Sequence, residues 1–448
     1  MLFLGLLFLC ACRVGASTAA ASNYTVAAGW YAGWHEPDVP LSSVLWSKYT
    51  HMSYAFATPT VDPSALSLAE SDQELLPRFV SSAHQNNVKA GLSIGGWGGS
   101  QFYSSNVASA TNRTAFVKSV TALIQKYDLD LIDFDWEFPG LQGIGCNIIS
   151  MSDTDNLLLM LQELRASSIA SNITITAAVS VKPFPTSNSS TIPQIASMLD
   201  WIVPMVYDLS WNWTGGSPLE QRALPSSPLN DSCFASTPGA TGSGLQGRGS
   251  AVSAIEGWTA AGFPPGKITL GVPAYGHSFN VNNTAAFLPP APASPVHSTA
   301  QLAPYPLYNT LNHTIGDAWD SPGGVNLCGV FQGPAGTWDF WALVDAGYLL
   351  ANGSAAPGVP YRWDACSSTP YLYAANHSVL VSYDDPRSFA AKGAFVRANG
   401  LAGFAMWEVG GDPNGVLLDA ICESSISRMV WVSVLMGCEQ CPRPPTAV

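Results

Sequence analysis

Short apolar runs rich in β-branched and aromatic residues alternate with segments of helical period along most of this chain, and that alternation restricts its fold more than any other feature. The runs cover 29–34, 49–56, 89–94, 131–135, 173–180, 201–207, 268–274 and 403–407. Between them, three sets recur at the spacing of one helix face: Leu75, Leu76, Phe79, Val80 and Ala83; Phe116, Val117, Val120, Leu123, Ile124 and Tyr127; Leu157, Met160, Leu161 and Leu164. Strands joined by crossover helices lie parallel, because a tight turn can only reverse direction. Eight such strands, with no Gly-x-Gly-x-x-Gly after the first, predict an α/β fold of the (β/α)8 TIM-barrel type rather than an open dinucleotide-binding sheet.

The regular pattern stops after Ala274. Residues 279–379 are rich in Pro, Gly, Asn and aromatic side chains, including Pro289-Pro290-Ala291-Pro292, and helical period returns over 385–397. So long a segment inside a compact domain is not structureless, and an inserted subdomain between strands seven and eight, on the catalytic face, is expected. The barrel is then assigned to 24–278 and 380–425. Residues 426–448 form a tail whose apolar stretch, Met429 to Met436, is too short to cross a membrane.

Leu2 to Ala11 is also too short to span a bilayer, and the small residues Val14-Gly15-Ala16 follow it, so residues 1–16 are read as a signal peptide, with Ala19 to Ser22 as the alternative cleavage region. Asn-x-Ser/Thr sequons at Asn23, Asn112, Asn172, Asn188, Asn212, Asn230, Asn282, Asn312, Asn352 and Asn376 agree with export to the extracellular space or cell wall. In that oxidising setting Cys146 is expected to pair with Cys233 and Cys328 with Cys366, each pair bracketing an irregular segment. Charged residues are only 11% of the chain and the net charge is −13, which argues against a nucleic-acid backbone as partner and suits a neutral polymer. Neither a cofactor motif nor a metal-ligand pattern is present.

The most informative chemistry lies at the end of the fourth run, Asp130-Leu131-Ile132-Asp133-Phe134-Asp135-Trp136-Glu137. Asp133, Asp135 and Glu137 alternate, so on a strand they share one side, which in a barrel is the interior near its C-terminal mouth. Three crowded carboxylates cannot all ionise, and the one that keeps its proton is a general acid. A calcium-type site is the competing use of such oxygens, but the alternating Phe134, Trp136 and Phe138 half-bury the segment and no Asx/Gly loop accompanies it.

Asp-x-x-Asp-x-Asp-x-Glu after an apolar strand resembles the signature of glycoside hydrolase family 18, the retaining chitinases. Ser93-Ile94-Gly95-Gly96-Trp97, Met205-Val206-Tyr207-Asp208, Gly271-Val272-Pro273-Ala274-Tyr275-Gly276 and Gly403 to Trp407 are similar to further family motifs at successive strand ends, and the likeness spans about Ala28 to Asp419. It implies a fungal-type enzyme with an α+β insertion, acting as a monomer on chitin or chitooligosaccharides without a cofactor. In that reading the substrate's acetamido oxygen is the nucleophile and Glu137 protonates the leaving oxygen. Asp135 orients the acetamide, Asp133 shares a proton with Asp135, and Tyr207 holds the acetamide's other end. Asp130 is structural. Trp407 forms the floor, while Trp34, Phe56, Gly96, Trp97, Met205, Asp208 and Tyr275 match cleft positions; Trp30 and Tyr31 suit cleft or core. His277 stands where many relatives carry Arg, which bears on subsite preference. Two other functions share this frame: a chitin-binding lectin, whose known forms lack the terminal acid, and an endo-β-N-acetylglucosaminidase, disfavoured by Trp97, Trp407 and the insertion.

Overall fold

A computed structural model of the chain describes residues 26–186, 188–210, 222–232, 249–289 and 301–423. The expected signal peptide, the tail, Cys233 and the sequons Asn23 and Asn212 lie outside the described residues.

Eight parallel strands run Val26–Ala32, His51–Pro59, Lys89–Gly95, Leu131–Asp135, Thr174–Val179, Trp201–Pro204, Thr269–Pro273 and Gly403–Trp407. They neighbour one another in chain order, with the first beside the eighth, and a parallel bridge from Ile202 to Ile268 brings the sixth to the seventh. This is the arrangement of a (β/α)8 barrel. The first strand starts earlier than its run of residues suggests, and Trp34 falls in the turn Gly33–His35 that follows. The sixth stops at Pro204, which leaves Met205, Tyr207 and Asp208 in the loop above it.

Period-two alternation sorts each strand's side chains. On the fourth strand Ile132 and Phe134 join the core beneath the helices, whereas Leu131 packs inside the barrel with Trp30, Ala178, Val203 and Ala405. The outer layer includes Glu70–Gln85, Ala110–Tyr127, Asp153–Ala166, Ala251–Ala260 and Pro386–Ala398. Their starts are chemically marked: Ser109 accepts from the Asn112 amide, and Asp385 with Ser388 forms a capping box ahead of Pro386.

Directly after the seventh barrel strand, Tyr275–Asn280 enters a separate antiparallel sheet, ordered Thr337–Asp339, Tyr275–Asn280, Val379–Ser382, Thr369–Ala374, Tyr361–Asp364. Phe279, Val281, Tyr308, Tyr371, Tyr373 and Leu380 give it a core of its own. A small hairpin, Gly324–Val325 against Phe331–Gln332, projects from this segment.

The disulfide expectation is corrected here. Cys146 bonds Cys328, across a sequence separation of 182 residues, so neither Cys146–Cys233 nor Cys328–Cys366 forms. Cys366 is itself disulfide-bonded, but not to Cys328. Bracketing of local loops misled because the insertion reaches a loop on another side of the barrel. Asn172, Asn282, Asn312, Asn352 and Asn376 are exposed, and the Asn112 amide donates to the Ser105 carbonyl at 2.8 Å. Among the described residues no helix is long and apolar enough to cross a membrane.

Candidate active site

The register of the fourth strand sets the site from the bottom upward. Asp133 lies opposite Ser93 on one neighbour and Thr176 on the other. All three side chains therefore meet inside the barrel: Thr176 donates to Asp133 Oδ1 at 2.7 Å, and Ser93 and Trp30 donate to Oδ2 at 2.7 and 3.0 Å. Burial pushes the Asp133 carboxyl up, while these three donors favour its charged form. No hydrogen bond joins it to Asp135.

One layer higher, Asp135 faces Gly95 and Ala178, which offer no side-chain donor. Its Oδ1 is buried without a partner. Burial, and then the charge of Asp133 beneath it, hold the Asp135 carboxyl well above the usual range. Glu137, half-buried on the cleft floor, is likewise raised, first by burial and then by Asp135 and Asp208. All three carboxyls therefore keep a proton to higher pH than free ones, Asp135 and Glu137 the furthest above their ordinary range.

Main-chain contacts fix Glu137. Its amide donates to Ser100 Oγ at 2.9 Å, its carbonyl accepts from Asn147 Nδ2 at 2.8 Å, and the preceding Trp136 ring stacks on Tyr103 at 5.0 Å. Gly95 permits this approach, since at φ 111° a Cβ there would sit 2.1 Å from the Asp135 carbonyl oxygen.

A cleft of about 610 Å³ opens above the acids, lined by Trp34, Trp97, Glu137, Met205, Tyr207, Asp208, Tyr275, His277 and Trp407, among others. Phe56 and Gly96 support it from behind: the Trp407 ring stacks on Phe56 at 5.5 Å, and a Cβ on Gly96 would lie 3.0 Å from the Phe56 ring. Trp34 and Trp97 stand more exposed, 54% and 41%, at the rim. The buried Tyr207 phenol is held neutral, by burial first and then by Asp135, Asp208 and Glu137, so it keeps an O–H that can donate to an acceptor in the cleft. Asp208 accepts from the Tyr275 hydroxyl at 2.8 Å and pairs with His277 Nε2 at 2.6 Å, while His277 Nδ1 is buried without a partner.

Trp30 and Tyr31 belong to the core; Tyr31 donates to the Val39 carbonyl at 2.7 Å. Asp130 sits at the other end of its strand, bound by Lys89, His84 and the Ala90 amide. Sequence reasoning missed His35, Trp319, Thr337, Asp339 and Glu408, which also line the cleft. Glu408 carried a signal, since it follows Trp407 at a strand end; its Oε1 lies 2.6 Å from His35 Nδ1, and the His35 ring stacks on Trp319 at 3.9 Å. Trp319 and Asp339 sit in the irregular insertion, where no periodicity marks a direction.

Residues 26–412 match the model of glycosyl hydrolases family 18. The chain belongs to that family. It is 43% identical to a chitinase-like effector of Moniliophthora roreri over 90% of this chain and 94% of that protein. To Chitinase A1 of Niallia circulans it is 29% identical, over 74% of this chain and 42% of the relative. Among solved structures, a chitinase from Rhizomucor miehei superposes with a TM-score of 0.72 at 28% identity, covering 89% of this chain and 99% of that one.

Proposed function

We propose that this family 18 protein is a secreted chitinase, hydrolysing β-1,4 bonds between N-acetylglucosamine units by a retaining, substrate-assisted mechanism. The observation that carries this reading is Glu137: a carboxyl on the floor of an aromatic cleft, whose pKa is raised by burial and by the acids around it. Glu137 gives its proton to the glycosidic oxygen as the bond to the anomeric carbon breaks. The acetamido oxygen of the same sugar closes on that carbon to form an oxazolinium ion, and water, deprotonated by Glu137, then opens it. Asp135, whose Oδ1 lacks a protein donor, accepts from the acetamide N–H once its carboxyl turns up toward the cleft, and Tyr207 donates to the acetamide oxygen. Trp407, braced by Phe56 and Trp34, is the platform for the distorted ring.

Export is supported by the Cys146–Cys328 disulfide and the exposed sequons. The relative described as a chitinase-like effector favours a second reading, a sugar binder without turnover. One experiment separates the two. Wild-type protein and Glu137→Gln are incubated with chitin tetramer, and the products weighed by mass spectrometry. The hydrolase reading requires cleavage by wild type and a loss of roughly 10²-fold or more in the variant, with binding kept. Binding without cleavage by wild type sustains the binder instead.

A further inference from the structure

We infer that the segment 317–337 is a bridge across the cleft, fastened by the Cys146–Cys328 disulfide, and that it compels a long polymer to enter by its end. This rests on the proposed ligand, a β-1,4-linked N-acetylglucosamine chain.

Barrel order supplies the first part of the argument. The gap between strands seven and eight, from which the insertion leaves, lies diametrically opposite the gap between strands three and four. Cys146 belongs to the loop after the fourth strand, and Gly98 to the loop after the third. Cys328 reaches the first by its disulfide and lies 3.7 Å from the Ile144 carbonyl. Leu327 reaches the second, since a Cβ on Gly98 would sit 3.3 Å from Leu327 Cδ1. On the near side, Trp319, Ala335 and Thr337 line the cleft on the way out and back. The chain between them therefore crosses from one wall to the other.

The second part concerns what holds the crossing in place. A two-stranded hairpin is marginal alone, and this one buries little: Val325, Leu327, Val330 and Phe331 are 71%, 67%, 57% and 75% exposed. Packing does not secure it, so the covalent bond does. That bond also ends next to Asn147, whose amide fixes the Glu137 carbonyl. Bridge and acid are thus registered to each other. An internal stretch of a long chain cannot drop in from the side under a fastened bridge; an end can thread.

The test uses Glu137→Gln protein, which prevents cleavage, with the disulfide intact or replaced by Cys146→Ser with Cys328→Ser. Binding is measured to chitin tetramer, to a long soluble oligomer, and to that oligomer carrying a bulky group at both ends. The intact protein should bind the tetramer and the uncapped oligomer but the capped one at least roughly 100-fold more weakly, and the opened variant should bind all three within about threefold, with faster release of the uncapped chain. Should the double variant not fold, mild reduction of the folded intact protein, with the opened Cys146–Cys328 pair verified by mass, supplies the open form. Equal binding of capped and uncapped oligomers by the intact protein overturns the bridge. Failure of the tetramer to bind overturns the ligand assignment and the bridge with it. Wild type that binds but does not cleave, while the cap still blocks entry, removes the hydrolase reading and leaves the bridge standing.

Discussion

Replacing Asp133 is the sharpest perturbation of the barrel interior, because its carboxylate terminates three buried donors. It is 2% exposed, and Ser93, Thr176 and Trp30 are all buried around it. In Asp133→Ala each donor loses its acceptor, at about 1–3 kcal/mol apiece. The two hydroxyls can rotate toward main-chain carbonyls, but the Trp30 indole N–H is fixed by its ring. Removal of a buried charge offsets part of the loss. The balance is a destabilisation of about 3 kcal/mol, with about 1–2 kcal/mol for Asp133→Asn, which keeps one acceptor oxygen. Urea unfolding followed by tryptophan fluorescence, with the disulfides intact, measures both. A second consequence is electrostatic: without the charge below it, Asp135 should ionise at lower pH, and the pH profile of tetramer cleavage should move with it. A change under 1 kcal/mol in Asp133→Ala, with an unmoved profile, would refute the donor-network argument.

Turnover should fall as pH rises through the raised pKa of Glu137, since the acid must be protonated; a rate that rises over the alkaline limb contradicts this. The same shift carries a stability consequence. A carboxyl raised on folding contributes fully below its unfolded pKa, about 4.3, and loses that contribution as pH rises, so Glu137→Gln should gain melting temperature over wild type at neutral pH and not near pH 3. Asp130 behaves oppositely. Burial raises it, but Lys89, the Ala90 amide and His84 prevail and hold it below the usual range, so its contribution is present above the unfolded pKa and lost in acid. Asp130→Asn should cost under about 1 kcal/mol near pH 7, because water screens its exposed Lys89 and His84 partners, little near pH 2, and leave tetramer cleavage within about twofold. Trp407→Ala should lower turnover by roughly 10²-fold with a smaller loss for Trp407→Phe, which keeps a ring to stack on Phe56; equal losses would deny the platform role.

The barrel was legible because each strand writes its two faces into alternate residues. Leu131, Asp133 and Asp135 face inward while Ile132 and Phe134 face the helices, and that pattern survives any loop length. The acids were legible for the same reason, and so was the placement of Tyr207, Tyr275 and Trp407 at strand ends. Partners that depend on three-dimensional crossing were not. Trp319 meets His35 and Cys328 meets Cys146 only because the insertion folds back over the barrel mouth, and nothing local to either residue encodes that path. Ser100 and Asn147, which pin Glu137, are ordinary polar loop residues whose role appears only when the turns around them are closed.

The central claim is that the substrate's own acetamide, not a second protein carboxylate, attacks the anomeric carbon while Glu137 acts as acid. Proton NMR of wild-type protein mixed with chitin tetramer, recorded before the products mutarotate, tests it most directly, beside a parallel run on the fully deacetylated tetramer. The account predicts β-anomeric product first from the acetylated tetramer and no cleavage of the deacetylated one. Early α-anomer, or efficient cleavage of the deacetylated chain, would contradict it.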